Sequence, residues 1–112
     1  MDWGKVIYVF FTLMSLTTTA GFLYDSNPIN LYIAASVNLI STILKVGVRN
    51  LLAAELLASS LVADLHLIPA FFALKIGDSI LTAKALAIGA VIANLVSIGL
   101  VLIESAKNKD EL

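Results

Sequence analysis

The chain has 112 residues, of which 60% are hydrophobic and only 13% charged, with a formal charge of −1. Soluble domains carry about 25% charged residues, so this composition describes a membrane protein, short enough for one domain. It contains no cysteine, which excludes disulfides, thiolate nucleophiles and cysteine-based metal sites, and its scattered lysines offer no basic patch to nucleic acid.

A transmembrane helix needs about 20 predominantly apolar residues. The first candidate span covers residues 5–24. Lys5, the apolar run after it and Thr18-Thr19-Ala20 imitate a secretory signal, but Asp2 weakens the basic start, and a retained helix is expected. Asp25-Ser26-Asn27-Pro28 ends this span in a turn, with the proline placed to open the next helix. The second span covers residues 29–46 and runs into the charged segment at Lys45 and Arg49. The third, residues 51–74, closes at Lys75-Ile76-Gly77-Asp78, and the fourth, residues 85–104, precedes a polar tail. Short connections make neighbouring helices antiparallel. The expected fold is therefore all-α, a four-helix transmembrane bundle forming a single domain.

Orientation follows from the basic residues on each side. With the amino terminus inside, Lys5, Lys45, Arg49, Lys107 and Lys109 lie inside, and only Lys75 and Lys84 outside. Both termini are thus expected in the cytoplasm. There the final Lys109-Asp110-Glu111-Leu112 cannot be read as the lumenal retrieval signal that it spells. A short internal echo, Asn38-Leu39-Ile40-Ser41 against Asn94-Leu95-Val96-Ser97, is compatible with two parallel halves.

Polar residues inside the spans carry the functional reading. A rise of about 1.5 Å per residue puts Ser15, Asn38, Asp64 and Asn94 within about 3 Å of one level, at the bilayer centre. Glu55 falls roughly 10 Å toward the cytoplasm, level with Lys45, and His66 about 6 Å toward the outside. Arg49 and Glu104 meet at the inner surface. On the third helix Glu55, Ser59, Val62 and His66 share one side, while Ser60 and Asp64 share the opposite side. Pro69 frees the Leu65 carbonyl one turn beyond Asp64.

An intramembrane carboxyl is costly and is a functional candidate by default. Asp64, with Asn38, Asn94, Ser15, Ser60 and His66, is a candidate set for binding a proton or a monovalent cation. The bland alternative is polar glue, in which the same groups satisfy one another and fix the fold or an oligomer. Lys45 with Glu55, and Arg49 with Glu104, are expected as structural ion pairs. One histidine and no cysteine argue against a transition-metal site. Ser59 and His66 lie about 10 Å apart along the axis, too far for a nucleophile and its base, so no enzyme is expected. Thr17-Thr18-Thr19-Ala20-Gly21-Phe22 lacks the second glycine of a potassium-channel filter. The small multidrug exporters carry a glutamate in their first helix, where this chain has no acid.

The segments GFLYDSN, NLISTILKVGVRN, LLAAELLASSLVADLHLIPA and ANLVSIGLVLIES resemble an uncharacterised family of small bacterial inner-membrane proteins, with SLVADLHLI the most distinctive word. The resemblance implies a bacterial inner membrane and no known enzyme activity, and it points to a cation channel as a partner. The expected function is transport of protons or monovalent cations, or its regulation, through the Asp64 layer. The alternative is a non-conducting assembly or scaffold subunit. Either role implies the lipid bilayer and a homo-oligomer or partner membrane subunit, with no cofactor and no nucleic acid.

Overall fold

The computed structural model describes residues 3–47, 52–77 and 79–111, the side chains of 107–111 excepted. Four helices follow in order: α1 (Trp3–Tyr24), α2 (Pro28–Lys45), α3 (Ala53–Lys75) and α4 (Ile80–Glu111). They form a rod of 51 × 20 × 20 Å. Each helix packs on its sequence neighbours, and α4 closes the ring on α1. Short connections bring both ends of the chain to one end of the rod, where Lys5 Nζ lies 3.1 Å from Glu104 Oε2.

The helix boundaries have local causes. Asn27 caps α2 by accepting from the Ile29 amide at 3.0 Å, and Pro28 occupies the first turn, where its missing N–H costs nothing. The helix stops at Gly47, whose φ of 84° favours glycine. Ser79 caps α4 by accepting from the Thr82 amide at 3.3 Å, so α4 starts at Ile80 rather than at residue 85. Its other end also exceeds expectation: the polar tail after Glu104 continues the helix to Glu111, consistent with the good helix formers Ala106, Lys107 and Lys109. Helix α3 runs through Pro69 as one element.

Burial is inverted relative to a soluble bundle. Large apolar side chains such as Phe10, Ile43, Leu65, Ile88, Leu95 and Leu102 are exposed, whereas the interior holds nearly as many polar as apolar residues. Monomeric soluble proteins rarely expose contiguous apolar patches on this scale. One half of the interior is apolar and finely packed: Phe22, Leu31, Leu67 and Leu74 interdigitate with Ala63, Ala70, Ala83, Ala87 and Ala90. The alanines let α3 and α4 approach closely. Polar layers fill the middle. Toward the chain ends come Tyr8, Leu56 and Val101, then the Lys5–Glu104 pair.

Helices α1, α3 and α4 are each long and apolar enough to cross a membrane. Helix α2, with 18 residues, is not among them, because Asn30, Asn38, Ser41, Thr42 and Lys45 dilute its apolar content.

Among the described glycines, Gly89 is packed most tightly. A Cβ there would stand 2.4 Å from His66 Cδ2, so Gly89→Ala forces the imidazole aside. Overpacking of this kind costs about 1–3 kcal/mol. Thermal melting in detergent should show Gly89→Ala destabilised, and His66→Ala in the same chain should recover most of the loss.

Candidate functional site

All four helices meet in one hydrogen-bonded layer at mid-bundle. Asn94 on α4 donates from Nδ2 to Ser15 Oγ on α1 at 3.3 Å, and Ser15 donates to Asn38 Oδ1 on α2 at 2.8 Å. Asn38 directs its Nδ2 donors to α3: one to the Ser60 carbonyl at 3.2 Å, the other to Asp64 Oδ1. The second carboxylate oxygen, Asp64 Oδ2, accepts from Thr42 Oγ1 at 2.6 Å. Lys45 Nζ donates to Ser60 Oγ at 3.1 Å, and Ser60 Oγ lies 3.1 Å from Thr42 Oγ1. Asn38, Ser15, Ser60 and Asn94 are fully buried, and Asp64 and Lys45 nearly so.

The directions of these bonds define the electrostatics. A hydroxyl has one proton to give. With Asp64 ionised, Thr42 gives its proton to the carboxylate, and the neighbouring Ser60 hydroxyl accepts from Lys45. On the other side, donation runs from Asn94 through Ser15 to Asn38, whose amide donates to Asp64. Thr42 and the Asn94–Ser15–Asn38 chain therefore converge on one acceptor, and the Lys45 ammonium, held by Ser60, supplies the counter-charge nearby. One oxygen is left out: Asn94 Oδ1 is buried and has no hydrogen-bond partner among the described residues.

A second tier lies one helical turn toward the chain ends. Thr12 and Ser41 join α1 to α2 at 2.7 Å, and Ser59 and Ser97 join α3 to α4 at 2.5 Å. The internal echo thus occupies matching surroundings: both asparagines are buried, and both serines bond a hydroxyl on the preceding helix.

The structure brings together Ser15, Asn38, Asp64 and Asn94, as their levels predict, and Ser60 joins them from the same face as Asp64. His66 stands apart from them. Its Nδ1 donates to the Val62 carbonyl at 2.7 Å, and its ring lies against Gly89 on α4. The expected Lys45–Glu55 pair does not form. Glu55 is exposed beside Ser59 and Val62 on the α4 side of α3, while Lys45 is buried on the α2 side against Ser60. The two share a level but not a face: the five residues from Glu55 to Ser60 turn α3 by about 140°. Glu104 pairs instead with Lys5; its expected partner, Arg49, lies outside the described residues. Thr42 is the layer member that sequence reasoning did not single out. Its signal was present, four residues after Asn38 on the same stripe.

Stability measurements should separate the two acids. Glu55→Gln changes an exposed group and should stay within about 0.5 kcal/mol of the parent. Asp64→Ala strips the acceptor from Asn38 and Thr42 and the counter-charge from Lys45, a loss of about 3–5 kcal/mol. Adding Lys45→Met to Asp64→Asn should be less costly than the sum of the single changes. Strict additivity in detergent unfolding, or a large Glu55→Gln effect, would contradict this assignment.

No curated protein and no solved structure matches the chain. The profile of one family matches residues 25–105, which include α2, α3, most of α4 and every layer residue except Ser15. The chain belongs to that family, a family of unknown function designated DUF6394.

Proposed function

We propose that the protein is a four-span integral membrane protein of the bacterial inner membrane, with both termini in the cytoplasm. In this reading it serves as a non-conducting subunit of a larger membrane assembly. The observation that carries it is the closed state of the layer: both Asp64 oxygens accept hydrogen bonds from within the bundle. The outer half beyond them is filled by Phe22, Leu31, Leu67 and their alanines at 0% exposure. A carboxylate satisfied in this way locks four helices in register, the task of polar glue in a membrane bundle.

The surface of α2 supports its role as the fourth span. Asn38, Ser41, Thr42 and Lys45 turn inward, so that Ile33, Leu39, Ile40, Ile43 and Leu44 form its outer face. Its polar residues lower the average without touching lipid. Eighteen residues rise about 27 Å, close to the hydrocarbon thickness.

A second reading, proton or monovalent-cation transport through Asp64, is favoured by one feature. The donor chain that ends on Asp64 starts at Asn94, whose Oδ1 is buried without a donor among the described residues. Flux from liposomes containing the purified protein, measured for protons, potassium and sodium, decides between the two. The non-conducting reading predicts flux equal to that of protein-free liposomes, for the parent and for Asp64→Asn. Flux in the parent that disappears in a well-folded Asp64→Asn variant would establish transport.

Orientation is tested by single cysteines. One at Lys109 should resist an impermeant thiol reagent added outside the cell, while one at Gly77 should react. The opposite labelling would invert the topology.

A further inference from the structure

A groove of about 640 Å³ runs along the outer surface of the α3–α4 pair, from Glu55 to His66. The two residues are about 16 Å apart along α3. Small residues make its floor: Ala58 and Ser59 from α3, Gly89 and Ala93 from α4. Such a floor lets a further helix backbone come close.

Both ends of the groove present acceptors. Glu55 is exposed, and among the described residues it has no ion-pair partner. In the neutral imidazole, His66 gives its Nδ1 proton to the Val62 carbonyl, which leaves Nε2 as a lone-pair acceptor. That nitrogen lies within a side chain's reach of Gly89 in the groove wall. His66 is two positions beyond Asp64 on α3, so this second acceptor sits near the bilayer centre.

We propose that the groove seats a transmembrane helix of a partner subunit, which presents a Lys or Arg to Glu55 and a hydroxyl or amide donor to His66. The proposal rests on the reading of this chain as a subunit of a membrane assembly, and it supplies the chemistry of the partner. Two other occupants fit less well. A second copy docked in parallel about a two-fold axis would set Glu55 against the same carboxylate of its mate. A lipid tail would cover the apolar floor but brings no hydrogen-bond donor to the depth of His66.

The test uses the full chain in phosphatidylcholine vesicles, fluorescently labelled at Gly77→Cys. The probe is a synthetic leucine–alanine helix of about 20 residues. It carries one lysine at the depth of Glu55 and one serine three turns away, and its control has glutamine for the lysine. Energy transfer should show the lysine helix associating about 5-fold or more tightly than the control, the scale of polar contacts between membrane helices. The preference should vanish in Glu55→Gln and persist in Glu55→Asp. Ala58→Leu, which fills the floor from an exposed position, should weaken both probes. Equal association of the two probes, or a preference that survives Glu55→Gln, overturns the proposal. So does competition by added phosphatidylethanolamine, which assigns the groove to lipid, or transfer between labelled copies that Ala58→Leu abolishes, which assigns it to self-association. The probe is read with the isolated protein. A lone protomer in native membranes would instead overturn the subunit reading.

Discussion

The structure depends on one constraint: a carboxyl group in the middle of an apolar bundle must be bonded on both oxygens. Water cannot do this in hydrocarbon, and an unsatisfied polar group there costs several kcal/mol. Asp64 meets the constraint by taking donors from α2, Asn38 on one oxygen and Thr42 on the other. Those two bonds set the register of α2 against α3. Asn38 then has only its own oxygen left, and Ser15 reaches it from α1. Ser15 in turn accepts from Asn94, so the constraint on one side chain is passed around all four helices.

The same constraint explains the distribution of side-chain sizes. Lipid gives little hydrophobic drive for one apolar helix to bury against another, so association rests on close packing and on hydrogen bonds. The apolar half of the interior supplies the first with alanines at positions 63, 70, 83, 87 and 90. The middle supplies the second, in the Asp64 layer and in the hydroxyl pairs Thr12–Ser41 and Ser59–Ser97 beneath it. Large apolar residues are left on the outside, where lipid accepts them. Lys45 belongs to this scheme as well. It is buried at the end of α2, held by Ser60, and its charge faces the carboxylate through two hydroxyls.

Much of this layer could be read from the sequence, because the rise of a helix converts residue number into depth. Ser15, Asn38, Asp64 and Asn94 fall at one level by that arithmetic, and they meet. The arithmetic of faces was equally available and decided what depth could not. It set Ser60 and Asp64 opposite Glu55 and His66, which is the division seen between the layer and the groove. Pairing Lys45 with Glu55 went wrong where level was given more weight than face. The start of α4 was missed for a different reason: Ser79 looks like any loop serine until its hydroxyl is seen accepting from the Thr82 amide. Average hydropathy sets α2 apart from the three span-like helices because it counts its inward polar groups together with its apolar outer face.

The central claim is that Asp64 accepts on both carboxyl oxygens, from Asn38 and from Thr42, with Lys45 as its counter-charge. Infrared spectroscopy tests this most directly, by comparing the parent with Asp64→Asn at neutral pH. The account predicts that the substitution removes a carboxylate stretching band and leaves the protonated-acid carbonyl region unchanged. Loss of a protonated-acid band in the difference spectrum would contradict it, and would make Asp64 a donor rather than the acceptor that organises the bundle.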